Sequence, residues 1–338
     1  MSSFSDILHN TPPAHIPIWF MRQAGRVLPS YLKLRQQYSF MQLMQTPQLA
    51  CDVTLLPINE LNVDAAILFS DILVIPQALG LDLDFTEKGP VFENPLYKFD
   101  NPISVLKPNP EKLNFVYQAI DLIKNQKPNN IPLIGFCGGP LTVLLYMFEG
   151  LGTKSDFKNA ERFIINNKQT TKQIVEIITE ITLYYTKQQL IHGVDCFRLF
   201  ESNCGNIPFS LYKELFLPSV KKVCDLVRSY NRKFLYFPKS IGLGITEITP
   251  DICDYLSIDW QTDIYSARKI VDKEINLEGN FDPRLLFGTK KTIQDEIKKY
   301  KQFSEENPLW IFNLGHGILP NTPFENAKLL VEEVKKLR

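Results

Sequence analysis

The chain has 338 residues, 44% hydrophobic and 22% charged, which is enough apolar material for a sizeable packed core and excludes a disordered polyampholyte. Its 37 Lys and Arg balance 37 Asp and Glu, so no global field draws nucleic acid or an anionic membrane, and any anion site has to be built locally. The six cysteines form no CxxC and share no metal-like spacing with a histidine, MSSFSDILHN has neither signal-peptide nor transit-peptide character, and no apolar run reaches the roughly 18 residues of a membrane span; the expectation is a cytoplasmic protein with reduced thiols.

In chain order, the first short apolar run is IPIWF (16–20), which leads straight into WFMRQAGRVLPSY, where Arg22 and Arg26 flank Gln23, Ala24 and Gly25. AAILF (65–69) is the second and ends on Ser70 and Asp71. Residues 81–110, with prolines at 90, 95, 102, 108 and 110, read as an excursion between that strand and its helix. PLIGF (132–136) runs into Cys137-Gly138-Gly139-Pro140 and then the helical stretch LTVLLYMF, which carries Tyr146. Over 168–191, Ile174, Ile178, Ile181 and Tyr185 recur at helical spacing, and Gly193 supplies the stop. CFRLF (196–200) delivers Glu201 and Ser202; KFLYF (233–237), YLSID (255–259) and NLEGN (276–280) follow; WIFNL (310–314) delivers Gly315-His316-Gly317. Thr322-Pro323-Phe324-Glu325 predicts a capping box with proline at the first position of the last helix.

Most of these runs are continuously apolar rather than alternating, as parallel strands covered on both faces require. Strands alternating with helices, eight times over, predict a single-domain α/β protein, a (β/α)8 barrel over 1–338 with its active-site cleft at the C-terminal ends of the strands. An open doubly wound sheet is the alternative, but no GxGxxG turn follows the first strand. The strand-end rule converts the strand list into a list of candidate site residues. Each has a plainer reading beside the functional one: Arg22 and Arg26 as surface ion pairs, Asp71 as a helix N-cap, His316 as a structural histidine. By spacing alone, Tyr146 belongs to the core.

Taken together, WFMRQAGRVLPSY, DAAILFSDIL, GGPLTVLLYMFEG, LFES, LEGNFDP and FNLGHGILPNTPFENAKLLV closely resemble the uroporphyrinogen decarboxylase family, in order and over nearly the whole chain. The resemblance implies a (β/α)8 barrel working as a homodimer, without metal or organic cofactor, that converts uroporphyrinogen III to coproporphyrinogen III by removing four acetate carboxyls as carbon dioxide. It places Arg22 and Arg26, with Gln23, Ala24 and Gly25 in the same loop, on substrate carboxylates, and Arg35 on the following helix as a further arginine of the cleft. It makes Asp71 the carboxylate under the pyrrole N–H groups, and puts Tyr146, Ser202 and His316 on substrate side chains, overturning the core reading of Tyr146. Leu141, and Phe237-Pro238-Lys239-Ser240, depart from the family pattern and leave local cleft shape open.

An eight-fold carboxylate suits arginine, which stays charged at any working pH and pairs with carboxylates in a bidentate fork. A departing carbon dioxide leaves electrons that no residue here absorbs, so a pyrrole protonated at its α-carbon has to be the sink. An anionic Asp71 stabilises that cation most when it is fully formed. For the proton, Arg22 is the assigned donor, directly or through water; His316 has the more convenient intrinsic pKa. Two rivals remain: a corrinoid-dependent methyltransferase on the same barrel, which needs His and Cys zinc ligands that this chain lacks after Cys253, and a non-catalytic tetrapyrrole carrier.

Overall fold

A computed structural model describes residues 3–86, 89–150 and 156–337. In chain order the strands are β1 (Ala66–Ile67), β2 (Leu83–Thr86), β3 (Gly89–Phe92), β4 (Leu133–Gly138), β5 (Cys196–Glu201), β6 (Lys233–Pro238), β7 (Tyr255–Ser257) and β8 (Asn276–Glu278). Six of them form one sheet in the order β1-β4-β5-β6-β7-β8, every pairing parallel. Register is set where apolar runs abut, as in Phe197 opposite Phe234 and Leu256 opposite Leu277.

The ring is completed by two segments that carry only single bridges. Ile311 pairs with Glu278 and Phe312 with Ile18, both parallel, so the last apolar run joins β8 to the first. Between the first run and β1, side chains replace most of the ladder. The Asp64 N–H donates to the Ile18 carbonyl, and the Asp64 carboxylate accepts from the Ile18 N–H at 2.9 Å. The Gln23 amide accepts from the Phe20 N–H at 3.0 Å and donates to the Ala65 carbonyl at 3.0 Å. Thus IPIWF and WIFNL occupy strand positions but are not the extended strands expected from their composition. Pro17 has no N–H to give, and its carbonyl accepts from the Phe312 N–H. YLSID, NLEGN and AAILF likewise contribute only two or three residues each as strand.

Helices wrap this barrel. The helix Lys168–Ile191 has the predicted bounds and buries Ile174, Ile178, Ile181 and Tyr185, and Gly193 leaves it at φ +101°. The excursion at 81–110 forms the antiparallel β2–β3 hairpin and three 3-10 turns ahead of the helix Asn114–Gln126. The predicted capping box does not form. The last helix spans Phe324–Lys335 with Pro323 at its N-cap, and the Thr322 hydroxyl donates back to the Leu319 carbonyl at 2.8 Å. A proline at the cap position moves the threonine outside the helix, where the turn carbonyl is the nearer partner.

Candidate functional site

The strand ends gather a charged group on one end of the barrel. Arg22 follows the first strand position and adopts φ +64°, a left-handed backbone that turns the chain away from the barrel. Three contacts fix that turn: the Met21 N–H donates to Asn313 Oδ1, the Ile318 N–H donates to the Met21 carbonyl, and Gln23 bridges Phe20 and Ala65 as described. Gln23 is fully buried with its amide committed to backbone, whereas Arg22 and Arg26 are exposed and Ala24 and Gly25 half-buried. Gly317 lies against Arg22: a Cβ there would stand 2.6 Å from the arginine Cδ.

Asp71, just past β1, is half-buried, and its Oδ1 accepts from the Leu73 N–H at 2.8 Å. The short helix behind it, Val74–Ala78, starts from Leu73 without a side-chain cap, so Asp71 closes a turn ahead of the helix rather than capping it. Burial pushes the Asp71 carboxyl above the ordinary aspartate range, opposed by that backbone bond and by the Arg22 charge. Tyr146 lies on the helix Pro140–Glu149, which begins where β4 ends. It is 8% exposed; burial raises its phenol pKa, while nearby Arg22 and a hydrogen bond to Asn203 oppose the rise and Asp71 adds to it. The spacing argument was right about its burial, yet the side chain belongs electrostatically to the Arg22 and Asp71 pair.

His316 is half-buried, and its Nδ1 stands 3.1 Å from the Gly317 carbonyl. Burial, then the Arg22 and Lys239 charges, bring its imidazole down to about 4, so it is neutral near pH 7. Its ring meets Trp260 edge to face at 5.6 Å. Gly315 lets the Trp260 backbone approach, since a Cβ there would meet the Trp260 nitrogen at 2.2 Å. Lys239, directly after β6, completes the group: it is half-buried, its Nζ is 5.9 Å from the Trp260 ring centre, and burial and Arg22 both lower its pKa.

Arg26 and Arg35 form a second positive patch. Both charges act on the Tyr31 phenol, whose ring packs on Phe69 at 5.9 Å, two residues before Asp71. Arg35 also donates from Nη1 to the Tyr38 carbonyl at the end of its own helix, Pro29–Gln37. Ser202 sits half-buried in the turn after β5. Next to it, Glu201 is fully buried and accepts from the Leu141 N–H, the Thr142 N–H and the Thr142 hydroxyl, which ties β5 to the first turn of the helix that carries Tyr146. Leu141 is itself fully buried, so this departure from the family pattern shapes the cleft only through packing.

The sequence reading missed Lys239 as a site residue, Asn203 and Trp260. The strand-end rule reaches Lys239, one residue beyond β6, but its lysine stood there as a departure rather than as a cation of the site. A cavity of about 250 Å³ lies at the opposite end of the barrel beside Lys124, Lys127 and Arg232, and none of the site residues above lines it. Among the described residues no three His, Cys, Asp or Glu side chains gather as metal ligands, and no helix is long and apolar enough to cross a membrane.

The model of the family described as uroporphyrinogen decarboxylase (URO-D) matches residues 1–337. The chain belongs to the uroporphyrinogen decarboxylase family. Curated family relatives include uroporphyrinogen decarboxylases of Geobacter sulfurreducens, 36% identical over 99% of this chain and 98% of that one, and of Legionella pneumophila strain Corby, 38% identical over 99% and 97%. Among solved structures, a methyltransferase from Methanosarcina mazei superposes with a TM-score of 0.76 over 97% of this chain and 96% of its own, at 17% identity. That likeness concerns the fold alone.

Proposed function

We propose that this carboxy-lyase removes the four acetate carboxyls of uroporphyrinogen III in the cleft formed by Arg22, Asp71, Tyr146, Ser202 and His316, giving coproporphyrinogen III. The observation that carries the reading is the convergence on Arg22: its charge acts on Asp71, Tyr146 and His316, which come from three separate strand ends. One cation, one carboxylate, one phenol and one neutral imidazole within electrostatic reach of one another suit a polyanionic ring with inward N–H donors.

In this reading Arg22 and Arg26 hold substrate carboxylates, with Arg35 supporting the second patch, while the backbone around Ala24 and Gly25 stays open to approach. Gln23 holds the loop in place. The pyrrole N–H groups replace the water that Asp71 has lost, so bound substrate favours the carboxylate form that burial disfavours. Protonation of a pyrrole α-carbon then creates a cation over Asp71, the carbon dioxide leaves with the electron pair of the broken C–C bond passing into that ring, a second proton completes the methyl group, and the α-carbon gives back the first, so each carboxylate lost takes up one proton net. A neutral His316 is a hydrogen-bond partner for a substrate side chain rather than an acid at pH 7. That leaves Arg22 as the assigned donor, directly or through water.

The same reading takes residues 1–338 as one domain and the protein as a cytoplasmic homodimer that binds no nucleic acid. A core running from Phe4 to Val334 supports the single domain, and the equal counts of basic and acidic residues support the reading without nucleic acid. The deciding experiment is anaerobic incubation with uroporphyrinogen III, without added metal or cofactor, with products resolved by carboxylate number. Stepwise loss from the octacarboxylate to the tetracarboxylate is expected. Binding without loss of carboxylates identifies a carrier and overturns the proposal.

A further inference from the structure

Lys239 is the one charge of the cleft whose occupation is unexplained. It stands one residue beyond β6, and among the described residues its ammonium, with three N–H donors, has no hydrogen-bond acceptor or ion-pair partner; its Nζ lies 5.9 Å from the centre of the Trp260 ring. Asp259 is the acid that raises its pKa, but it is turned to the backbone, Oδ2 accepting from the Ser240 N–H at 2.6 Å and Oδ1 from the Gln261 N–H at 2.9 Å, and it makes no ion pair with Lys239 within 4 Å among the described residues. Arg22 places a like charge nearby, and His316 across the Trp260 ring adds no negative charge, being neutral. Half-buried and next to another cation, the lysine has given up part of its hydration in exchange for the Trp260 face and the field of Asp259, with no hydrogen-bond acceptor among the described residues. An entering anion supplies the acceptor that this ammonium lacks.

We propose that Lys239 is a further substrate ligand of this site, holding one side-chain carboxylate of the macrocycle against the wall formed by Trp260 and His316. The inference rests on the reading of the cleft given above. It differs from the roles of Arg22 and Arg26 in chemistry as well as place: a lysine offers a mobile point charge rather than a planar fork, suited to a flexible carboxylate arm that changes position as the ring is processed. Ser240 supports this placement. Its left-handed backbone, φ +60°, and its N–H bond to Asp259 turn the chain after β6 so that Lys239 remains over Trp260.

The test compares wild type, Lys239→Met and Lys239→Arg in anaerobic steady-state assays with uroporphyrinogen III. Loss of a charge-assisted contact made equally to substrate and transition state raises KM by about 10-fold or more with kcat within about threefold, and the arginine restores part of the affinity. Competition by coproporphyrinogen III, which keeps four of the eight carboxylates, identifies the partner. Equal weakening of product and substrate in Lys239→Met assigns Lys239 to a retained carboxylate; weakening of substrate alone assigns it to one that is removed. A wild-type enzyme that turns over while Lys239→Met keeps KM within twofold overturns the inference, as does a fall in kcat at constant KM. A wild-type protein that releases no carbon dioxide overturns the function reading instead. Should the methionine variant not fold, Lys239→Gln carries the same measurement.

Discussion

In the proposed reaction Asp71 has to be an anion while a cation forms beside it, yet its half-buried position raises its pKa. The free enzyme therefore loses the reactive form as pH falls through a value above the ordinary aspartate range, and the acid limb of kcat/KM lies correspondingly high. Asp71→Asn keeps the shape and removes the charge: kcat is expected to fall about 10²- to 10³-fold and the acid limb to vanish, with KM changed far less. Steady-state rates from pH 4 to 8 read both effects, and an unchanged acid limb in Asp71→Asn would move that ionisation to another group. At this scale the sequence marked positions better than it did partners. Arg22, Asp71 and His316 were legible because strand ends collect chemistry, and Tyr146 required the family likeness because its helix is apolar all round. Gln23 stood in the right loop, but a buried amide that replaces a strand ladder leaves no one-dimensional trace.

Glu201 joins two elements. Its carboxyl receives the first-turn donors of the helix Pro140–Glu149, and the close passage of Gly139, where a Cβ would lie 2.5 Å from the carboxyl carbon, permits it. Even so, full burial outweighs those bonds and pushes the acid from 4.5 up to about 7. A group with a raised folded pKa stabilises fully below its unfolded value and loses that contribution as pH rises, here between about 4.5 and 7. Glu201→Gln lacks the titration, so the stability difference between wild type and variant should shrink by on the order of 3 kcal/mol from pH 4.5 to 7. His316, lowered to about 4, acts in the opposite sense below its unfolded value but is common to both proteins and cancels. Urea unfolding at several pH values measures the difference; a flat difference would show that Glu201 ionises elsewhere. Eight apolar runs announced the elements and their order, and the long helix was legible to the residue. The short extents of the first and last strands were not, because Pro17 and the side chains of Asp64 and Gln23 decide them. The failed capping box has the same origin, a proline whose position relative to the turn is fixed by tertiary contacts.

Across the whole molecule, closure of the ring depends on polar groups inside an apolar barrel. Arg198, in the middle of CFRLF, is fully buried and bonded to Glu278 on β8 and, at 2.7 Å, to Ser257 on β7, with Trp19, Phe200 and Phe237 around its guanidinium. Asn313 extends the chain of bonds, donating to Glu278 at 2.8 Å and accepting from the Met21 N–H at 3.2 Å, one residue before Arg22. The interior network thus runs from β5 to the first strand position and ends at the loop that carries Arg22. No local pattern exposes it, since Glu278 lies 80 residues from Arg198. A buried pair of this kind is worth less for its attraction than for the harm done when one partner is lost. Glu278→Gln strands a charge in the barrel and should cost about 3–5 kcal/mol, whereas Arg198→Met with Glu278→Leu removes both charges and should cost markedly less. Denaturant unfolding of the two variants against wild type decides it. If the double variant is as unstable as the single one, the links that Ser257 and Asn313 make to Glu278, rather than the stranded guanidinium, are what hold the ring closed.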